Sequence, residues 1–480
     1  MKYLAMWSGS AECGMSDSEV DTFVDRSYNA GINTLLVHLK GGDGTVYWKS
    51  DIVPQATHPG YDVFDLPAAL LIACRKRGMR LEAWLIDFFE GNGGAAHQEH
   101  PDWVMVDPDG KTTSEEMLRG SPWGPLWMCP ARRPGYTDQW LVPLIKEFAQ
   151  KYDFDAIHHD YVRYPGDAAP DRYCFCDYCL EHLPKWAGYI SDTYPTDAFF
   201  HELYDRGYIE AHWEQGPRVL PSNWDSLPRS FKAKFLLEGG FFQGGRNDLD
   251  YFFYLYRSHW ITDFCKLAKE AVREVRPEMD VSAAVFKNPI HSGRFIGQDW
   301  RTFEGYVDGI IPMNYRDHYP GSFEVYLNLL TETIGNQKKL TAGFKYYWPG
   351  AAINFLFAEE ERPLAATSEE LNCGDTARAL ASYGQIEHQV RSVSPDLASA
   401  MDVLRQNPDA LDTAREKFES FRKHIPSTYW PSEKLGQLVK TIAATNVGGM
   451  ALFCVGHLDQ YGMWEQLAAS LKEIDGNHTN

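Results

Sequence analysis

The densest run of chemically capable residues is Phe154-Asp155-Ala156-Ile157-His158-His159-Asp160-Tyr161-Val162-Arg163-Tyr164-Pro165. Its aliphatic start, its His-His-Asp-Tyr centre and the following Pro-Gly turn read as a buried parallel strand. Such a strand delivers a carboxylate at its C-terminal end, where parallel barrels keep their chemistry. Strand side chains alternate faces, so His158 and Asp160 share one face while His159 and Tyr161 take the other. Asp160 is the first catalytic candidate, as nucleophile, acid/base or anchor for a substrate hydroxyl. The competing structural reading is an ion pair with Arg163 at the strand end.

Glycosidic bond cleavage generally needs a second carboxylate on the other side of the scissile bond, about 5 Å away for retention and about 6.5 to 9.5 Å for inversion. It must come from another strand end. Asp317 follows Ile310-Ile311-Pro312-Met313-Asn314-Tyr315-Arg316 at the sixth strand and is favoured. Asp87 closes Trp84-Leu85-Ile86 at the third, with Glu90 just beyond it. Asp299 lies in Gly297-Gln298-Asp299-Trp300, where it also suits a helix N-cap. Arg163, His158, His38, Lys345, Tyr315 and His457 fall near strand ends and are candidates for binding substrate hydroxyls or charge, with Lys40 nearby. Trp7, Trp84 and Trp348 are candidate stacking platforms, with core packing the alternative for each.

Cys174-Phe175-Cys176-Asp177-Tyr178-Cys179 places three thiols at C-x-C-x-x-C spacing, the short spacing on a turn that a tetrahedral thiolate site needs. Cys129, in Trp127-Met128-Cys129-Pro130, precedes the helix that leads into the Asp160 strand and suits the fourth position. Four thiolates leave no open coordination position, so the expected metal is a structural Zn2+. The alternative is four buried free cysteines. No organic cofactor is expected.

These residues need a scaffold, and the chain supplies it as alternating strand and helix. Strand-like segments recur at Tyr3 to Trp7, Thr34 to Leu39, Leu81 to Phe88, Ala156 to Asp160, Val281 to Phe286, Gly309 to Asn314, Leu340 to Tyr346 and Gly449 to Val455. Helical patterns follow most of them. Ser16-Asp17-Ser18-Glu19 opens one helix with a capping signature, and Leu66 to Arg77 and Leu141 to Lys151 supply the next two. Eight βα units predict an α/β fold, a (β/α)8 TIM barrel. Two long insertions interrupt the rhythm: 167–256 after strand 4, with the cysteine cluster and Gly239 to Gly245, and a helical one, 349–429, after strand 7. Both are expected on the catalytic face of a single domain, 1–480.

Asp155 to Pro165 resembles the "DG-I-H-x-DY-x-RYP" signature of the family-ten-like glycosyl hydrolase group. Asp308-Gly309-Ile310-Ile311-Pro312-Met313-Asn314-Tyr315 and Gln298-Asp299-Trp300 resemble its later motifs. The resemblance spans most of the chain apart from the insertions, and implies a barrel hydrolase. Met128-Cys129-Pro130 to Pro134-Gly135-Tyr136, together with the later cysteines, is similar to the zinc-binding arrangement of family 42 β-galactosidases. That family's catalytic Asn-Glu is replaced here by His159-Asp160, and its nucleophilic Glu at strand seven has no counterpart in Gly343 to Trp348. Only the metal carries over. In barrel hydrolases of α-linked sugars, a fourth-strand Asp nucleophile often pairs with a sixth-strand acid/base Asp, a pattern that Asp160 and Asp317 resemble.

Composition narrows the partners. The 46 Lys and Arg against 66 Asp and Glu leave a net charge of -20, which argues against nucleic acid or an anionic membrane surface. A neutral carbohydrate fits better, and 14% aromatic residues suit sugar faces as well as a large core. No stretch reads as a signal or membrane-spanning segment, and nine cysteines, an odd number, favour a cytoplasmic setting over a disulfide framework. A homo-oligomer is left open. The expected activity is glycoside hydrolysis, with Asp160 as nucleophile or key carboxylate and Asp317 as proton donor. The rivals are a carbohydrate-binding barrel without chemistry and a metal-dependent deacetylase using His158 and Asp160.

Overall fold

Aliphatic runs covered on both faces form parallel strands, and this chain has them as β1 (Tyr3–Ser8), β2 (Thr34–Lys40), β3 (Arg80–Ile86), β4 (Ala156–Asp160), β5 (Asp280–Phe286), β6 (Gly309–Met313), β7 (Tyr346–Tyr347), β8 (Gly350–Ala352) and β9 (Gly449–Phe453). The computed structural model describes residues 2–91, 93–115, 126–193, 223–238 and 248–477. β1 lies between β9 and β2, pairing then runs from β2 to β6, and β6 returns through β7 and β8 to β9. β7 and β8 are two halves of one stave, so eight staves close a (β/α)8 barrel. Helices including Asp17–Asn29, Leu66–Lys76, Val142–Lys151, Asp248–Val275, Phe323–Leu340 and Glu433–Ala444 connect the staves. The Ser16 hydroxyl caps the first of these by accepting from the Glu19 N–H, as its sequence predicts. Among the described residues no helix is long and apolar enough to cross a membrane.

The seventh stave differs from the expected Leu340 to Tyr346. The helix Phe323–Leu340 takes the first of those residues, with Lys338 and Lys339 in its last turn, where cations complement the carbonyl end. Pro349 then divides the stave, since it has no N–H for the ladder. Gly350–Ala352 belong to the barrel, so the helical insertion begins after them and not at 349. It runs through the helices Ala358–Cys373, Thr376–Gly384, Glu387–Val393, Pro395–Gln406 and Leu411–Lys423. Lys434 docks it to the barrel through Glu359 and Glu360. Of the first insertion, 194–222 and 239–247, with the Gly239 to Gly245 stretch, lie outside the described residues. The helix Asp248–Val275 spans its expected end at 256.

The lumen is filled from bottom to top, and its lower half is polar. Arg80 donates to Glu82 Oε1 at 2.8 Å and to Asp280 Oδ2 and the Tyr346 hydroxyl at 3.1 Å. Ser282 donates to Glu82 Oε2 at 2.7 Å, and His158 Nδ1 lies 2.8 Å from the Ser282 hydroxyl. Above them Trp7 Nε1 donates to His158 Nε2 at 3.1 Å. Since Nε2 accepts and the serine proton goes to Glu82, Nδ1 carries the imidazole proton. Burial and the neighbouring His159 push the His158 pKa well down, consistent with a neutral ring. Gly309 and Gly449 make room for the large rings, since a Cβ there would lie 2.1 Å from Tyr346 and 2.7 Å from Trp348.

Removing one member of a buried charge network costs more than removing an exposed ion pair. Arg80→Met leaves Glu82 and Asp280 without their guanidinium and is expected to lower stability by about 3 kcal/mol in urea unfolding. Arg75→Met, on the exposed pair with Asp155, is expected to cost no more than about 1 kcal/mol.

Candidate active site

Asp160 ends β4 at the C-terminal mouth of the barrel and is 7% exposed. Its Oδ1 accepts from the Tyr161 N–H at 2.7 Å and faces Arg163 at 3.3 Å; its Oδ2 accepts from Trp84 Nε1 at 3.2 Å. Burial raises its pKa above the ordinary aspartate value, against the opposing pull of Arg163, the Tyr161 N–H and Trp84. Tyr161 has φ +53°, a left-handed conformation uncommon for a bulky residue. Its ring stacks on Phe89 at 5.3 Å and lies 5.6 Å from Trp127. The Arg163 guanidinium packs 4.1 Å from the Tyr161 ring and 5.1 Å from Phe286. The expected ion pair with Arg163 is present, on a carboxylate that stands at the barrel mouth.

Tyr315 follows β6 and stacks against Phe453 at 5.9 Å and His318 at 5.7 Å. Burial, then the charge of Asp160, raises its pKa, with Asp317 adding in the same direction, so the phenol stays neutral. Asp317 sits in the short 3-10 turn Arg316–His318, with 42% of its side chain exposed and His318 Nε2 at 3.9 Å. The mouth thus brings Asp160, Arg163, Tyr315 and Asp317 together. His38 packs 4.5 Å from Trp84, and burial and Lys40 lower its pKa to about 4. Its Nε2 is buried with no partner among the described residues. His457 stands half-buried beyond β9, 5.5 Å from Phe453.

Other expected site residues lie elsewhere. His158 is fully buried in the lumen with both ring nitrogens engaged, which leaves none for substrate. Lys345 precedes β7, so it lies at the opposite, N-terminal end of the barrel, paired with Asp280 at 2.7 Å. Trp348 is 2% exposed between Tyr3 and Tyr346 in the lower lumen. Asp87 points away from the lumen, fully buried against His159 Nδ1 at 3.1 Å, and burial raises its pKa against the pull of His159. Its N–H donates to the Asp160 carbonyl at 2.8 Å, so it supports the β4 end from behind. Lys40 pairs there with Glu90 at 2.8 Å. Asp299 caps the turn Trp300–Phe303 and clamps Arg301 at 2.6 Å, the N-cap role.

Glu12 went unanticipated. It lies in the short helix Ser10–Cys13 just past β1, half-buried, and accepts from the Gly9 N–H at 2.9 Å. Burial raises its pKa against that hydrogen bond. The available signal was a carboxylate within a few residues of a strand's C-terminal end.

Cys129, Cys174, Cys176 and Cys179 are all buried, with their sulfurs within 4.8 Å of one another. Cys129 Sγ lies 3.6 Å from Cys179 and 3.8 Å from Cys176. Metal–sulfur bonds of about 2.3 Å at tetrahedral angles give sulfur edges of about 3.8 Å, whereas a disulfide needs about 2.05 Å. The four cysteines therefore fit a metal ion, and they tie the segment after β3 to the segment after β4.

A parallel (β/α)8 barrel with a buried carboxylate among aromatic rings at its C-terminal mouth is the architecture of a barrel enzyme. The chain belongs to the family described as "Putative glycosyl hydrolase domain", whose model matches residues 8–332. Among solved structures it is similar to the glycoside hydrolase domain of PgaB (BpsB) from Bordetella bronchiseptica, at 11% identity, TM-score 0.56 and 98% coverage of both chains. It also aligns with the β-amylase catalytic domain from Paenibacillus polymyxa, at 9% identity and TM-score 0.49, covering 97% of this chain and 98% of that one. A β-galactosidase from Halorubrum lacusprofundi aligns at 13% identity and TM-score 0.47, over 73% of this chain and 47% of that one. No curated protein matches the sequence.

Trp84→Phe keeps the ring in the lumen and removes one donor to Asp160. A hydrogen bond to a charged group contributes roughly 1.5 kcal/mol, so the Asp160 pKa is expected to rise by about one unit in a carboxyl NMR titration.

Proposed function

We propose that the protein is a glycoside hydrolase that cleaves O-glycosidic bonds of an oligo- or polysaccharide, with Asp160 as proton donor and Asp317 as the second carboxylate. The observation that carries this reading is a carboxylate buried at the end of β4 in the barrel mouth; such burial favours the protonated form, and a general acid must keep its proton near the working pH. Only 10% of the Asp160 side chain is exposed against 42% for Asp317. That contrast favours exchanging the roles expected from sequence: the buried group holds a proton, and the open group stays available as base or nucleophile. Phe89, Tyr161 and Tyr315 are partly exposed and offer ring faces and a hydroxyl suited to sugar rings, and Arg163 sets how far the Asp160 pKa rises.

The metal we assign to the four cysteines is Zn2+. Four thiolates close its coordination shell, so it would stiffen the two segments without activating water. Stripping it is expected to lower the melting temperature in step with the zinc content, because binding energy is folding energy at such a site.

The deciding experiment compares wild type, Asp160→Asn and Asp317→Asn on natural oligosaccharides and aryl glycosides, reading released sugar. Wild-type turnover that falls about 10³-fold in Asp160→Asn supports the assignment. Full activity in that variant overturns it, and sugar binding without turnover by any of the proteins favours a binding barrel. Because the acid's pKa is raised, activity should persist above the ordinary carboxylate range and fall only as pH passes that pKa. Arg163→Gln removes a cation that stabilises the anionic form, so the basic limb of kcat/KM should move to higher pH.

A further inference from the structure

Behind the end of β4 lies a buried ionisable group that the proposed chemistry does not use. His159 and Asp160 are neighbours in β4 on opposite faces; His159 packs outside the barrel, 5.2 Å from Phe264 of the helix Asp248–Val275. Asp87, one residue past β3, meets both. Its N–H donates to the Asp160 carbonyl at 2.8 Å, and its Oδ1 lies 3.1 Å from His159 Nδ1. Asp87 and His159 are fully buried, and neither Asp87 Oδ2 nor His159 Nε2 has a hydrogen-bond partner among the described residues. The imidazole proton therefore belongs on Nδ1, where Asp87 accepts it, since a second proton on Nε2 would be a buried donor without an acceptor. The pair keeps the single negative charge of Asp87.

Other groups face that charge from several elements. Lys40 of β2 attracts it but is itself bound to Glu90 at 2.8 Å and to the Ile86 carbonyl at 2.7 Å. Tyr136 donates to the Asp87 carbonyl at 3.0 Å and to Glu90. The Cys265 thiol, on the helix Asp248–Val275, is pushed up by burial and then by the Asp87 charge. On the mouth side stand Asp160, its partner Arg163 and the Tyr315 phenol. Burial raises the Asp87 pKa, His159 and Lys40 oppose the rise, and the charge of Asp160 adds to it. Like charges act on each other equally, so ionised Asp87 also opposes the ionisation of Asp160.

We infer that Asp87, held by His159, is a positioning residue for Asp160: its N–H fixes the end of β4, and its charge behind the barrel wall favours the protonated carboxyl at the mouth. The consequence for catalysis rests on Asp160 as proton donor, whereas the coupling between the two carboxyl groups does not. Giving the Asp160 proton to a leaving group places two carboxylates close together. Taking a proton back from solvent relieves that repulsion and restores the acid.

The test is a carboxyl NMR titration of the full-length protein as wild type, Asp87→Asn and Asp160→Asn, each variant also assigning the signal it removes. Asp87→Asn keeps the shape of the side chain and an acceptor for His159, and is expected to lower the Asp160 pKa by at least about half a unit. Asp160→Asn is expected to lower the Asp87 pKa by the same amount, because coupling between two sites is reciprocal. That second variant leaves the buried pair intact and decides the matter even if Asp87→Asn does not fold. Where wild type turns over a glycoside, the basic limb of kcat/KM should move to lower pH in Asp87→Asn by the shift that the titration reads. Absence of wild-type turnover would remove the glycosidase reading and leave the two titrations to judge the coupling. An Asp87 pKa unmoved in Asp160→Asn, or an Asp160 pKa unmoved in a folded Asp87→Asn, overturns the proposal.

Discussion

Charge buried in the lower barrel is the constraint on which the rest of this molecule rests. Arg80, Glu82, Asp280 and Ser282 sit where most parallel barrels place aliphatic layers, and a buried charge without a partner costs several kcal/mol. Each group must therefore be satisfied within the lumen. The chain of hydrogen bonds from Arg80 through Glu82 and Ser282 to His158 and Trp7 does this. It ties β3, β5, β4 and β1 together, and it commits His158 to a structural role directly below the carboxylate at the mouth.

The position of Asp160 follows from that base. Two residues beyond His158 on the same face, it emerges where the lumen opens, beside Trp84 and under Tyr161. Burial and Arg163 act on it in opposite directions, and burial prevails. Behind the barrel wall, Asp87, His159, Lys40, Glu90 and Tyr136 form a second buried polar group, joined to the β4 end through the Asp87 N–H. The four cysteines fasten the outer part of the same region by joining the segments after β3 and β4. The mouth around Asp160 is held from below, from behind and from the side.

The β/α rhythm, the eight-stave barrel, the strand-end position of Asp160 and the four-cysteine cluster were legible in the sequence. The reason is that each rests on a local pattern: aliphatic runs, turn residues or short thiol spacing. The seventh stave was misplaced because Leu340 to Tyr346 carries a mixed pattern, and the preceding helix extends into it. Lys345 was assigned to the wrong end as a result. Asp299 was ambiguous because an N-cap and a catalytic carboxylate look alike as a single Asp before a turn.

By itself, the sequence determined which residues alternate onto which face of each strand, and so placed His158 and Asp160 together and Asp87 near the end of β3. Only the tertiary structure decided what those faces meet. A histidine on the lumen side binds substrate if the space above it is open and becomes part of the core if Trp7 closes over it, and that depends on a strand more than 140 residues away. The same holds for Glu12, whose carboxylate meets Gly456 because β1 pairs with β9. Local pattern sets direction along the chain, while burial, partners and pKa are properties of the assembled barrel.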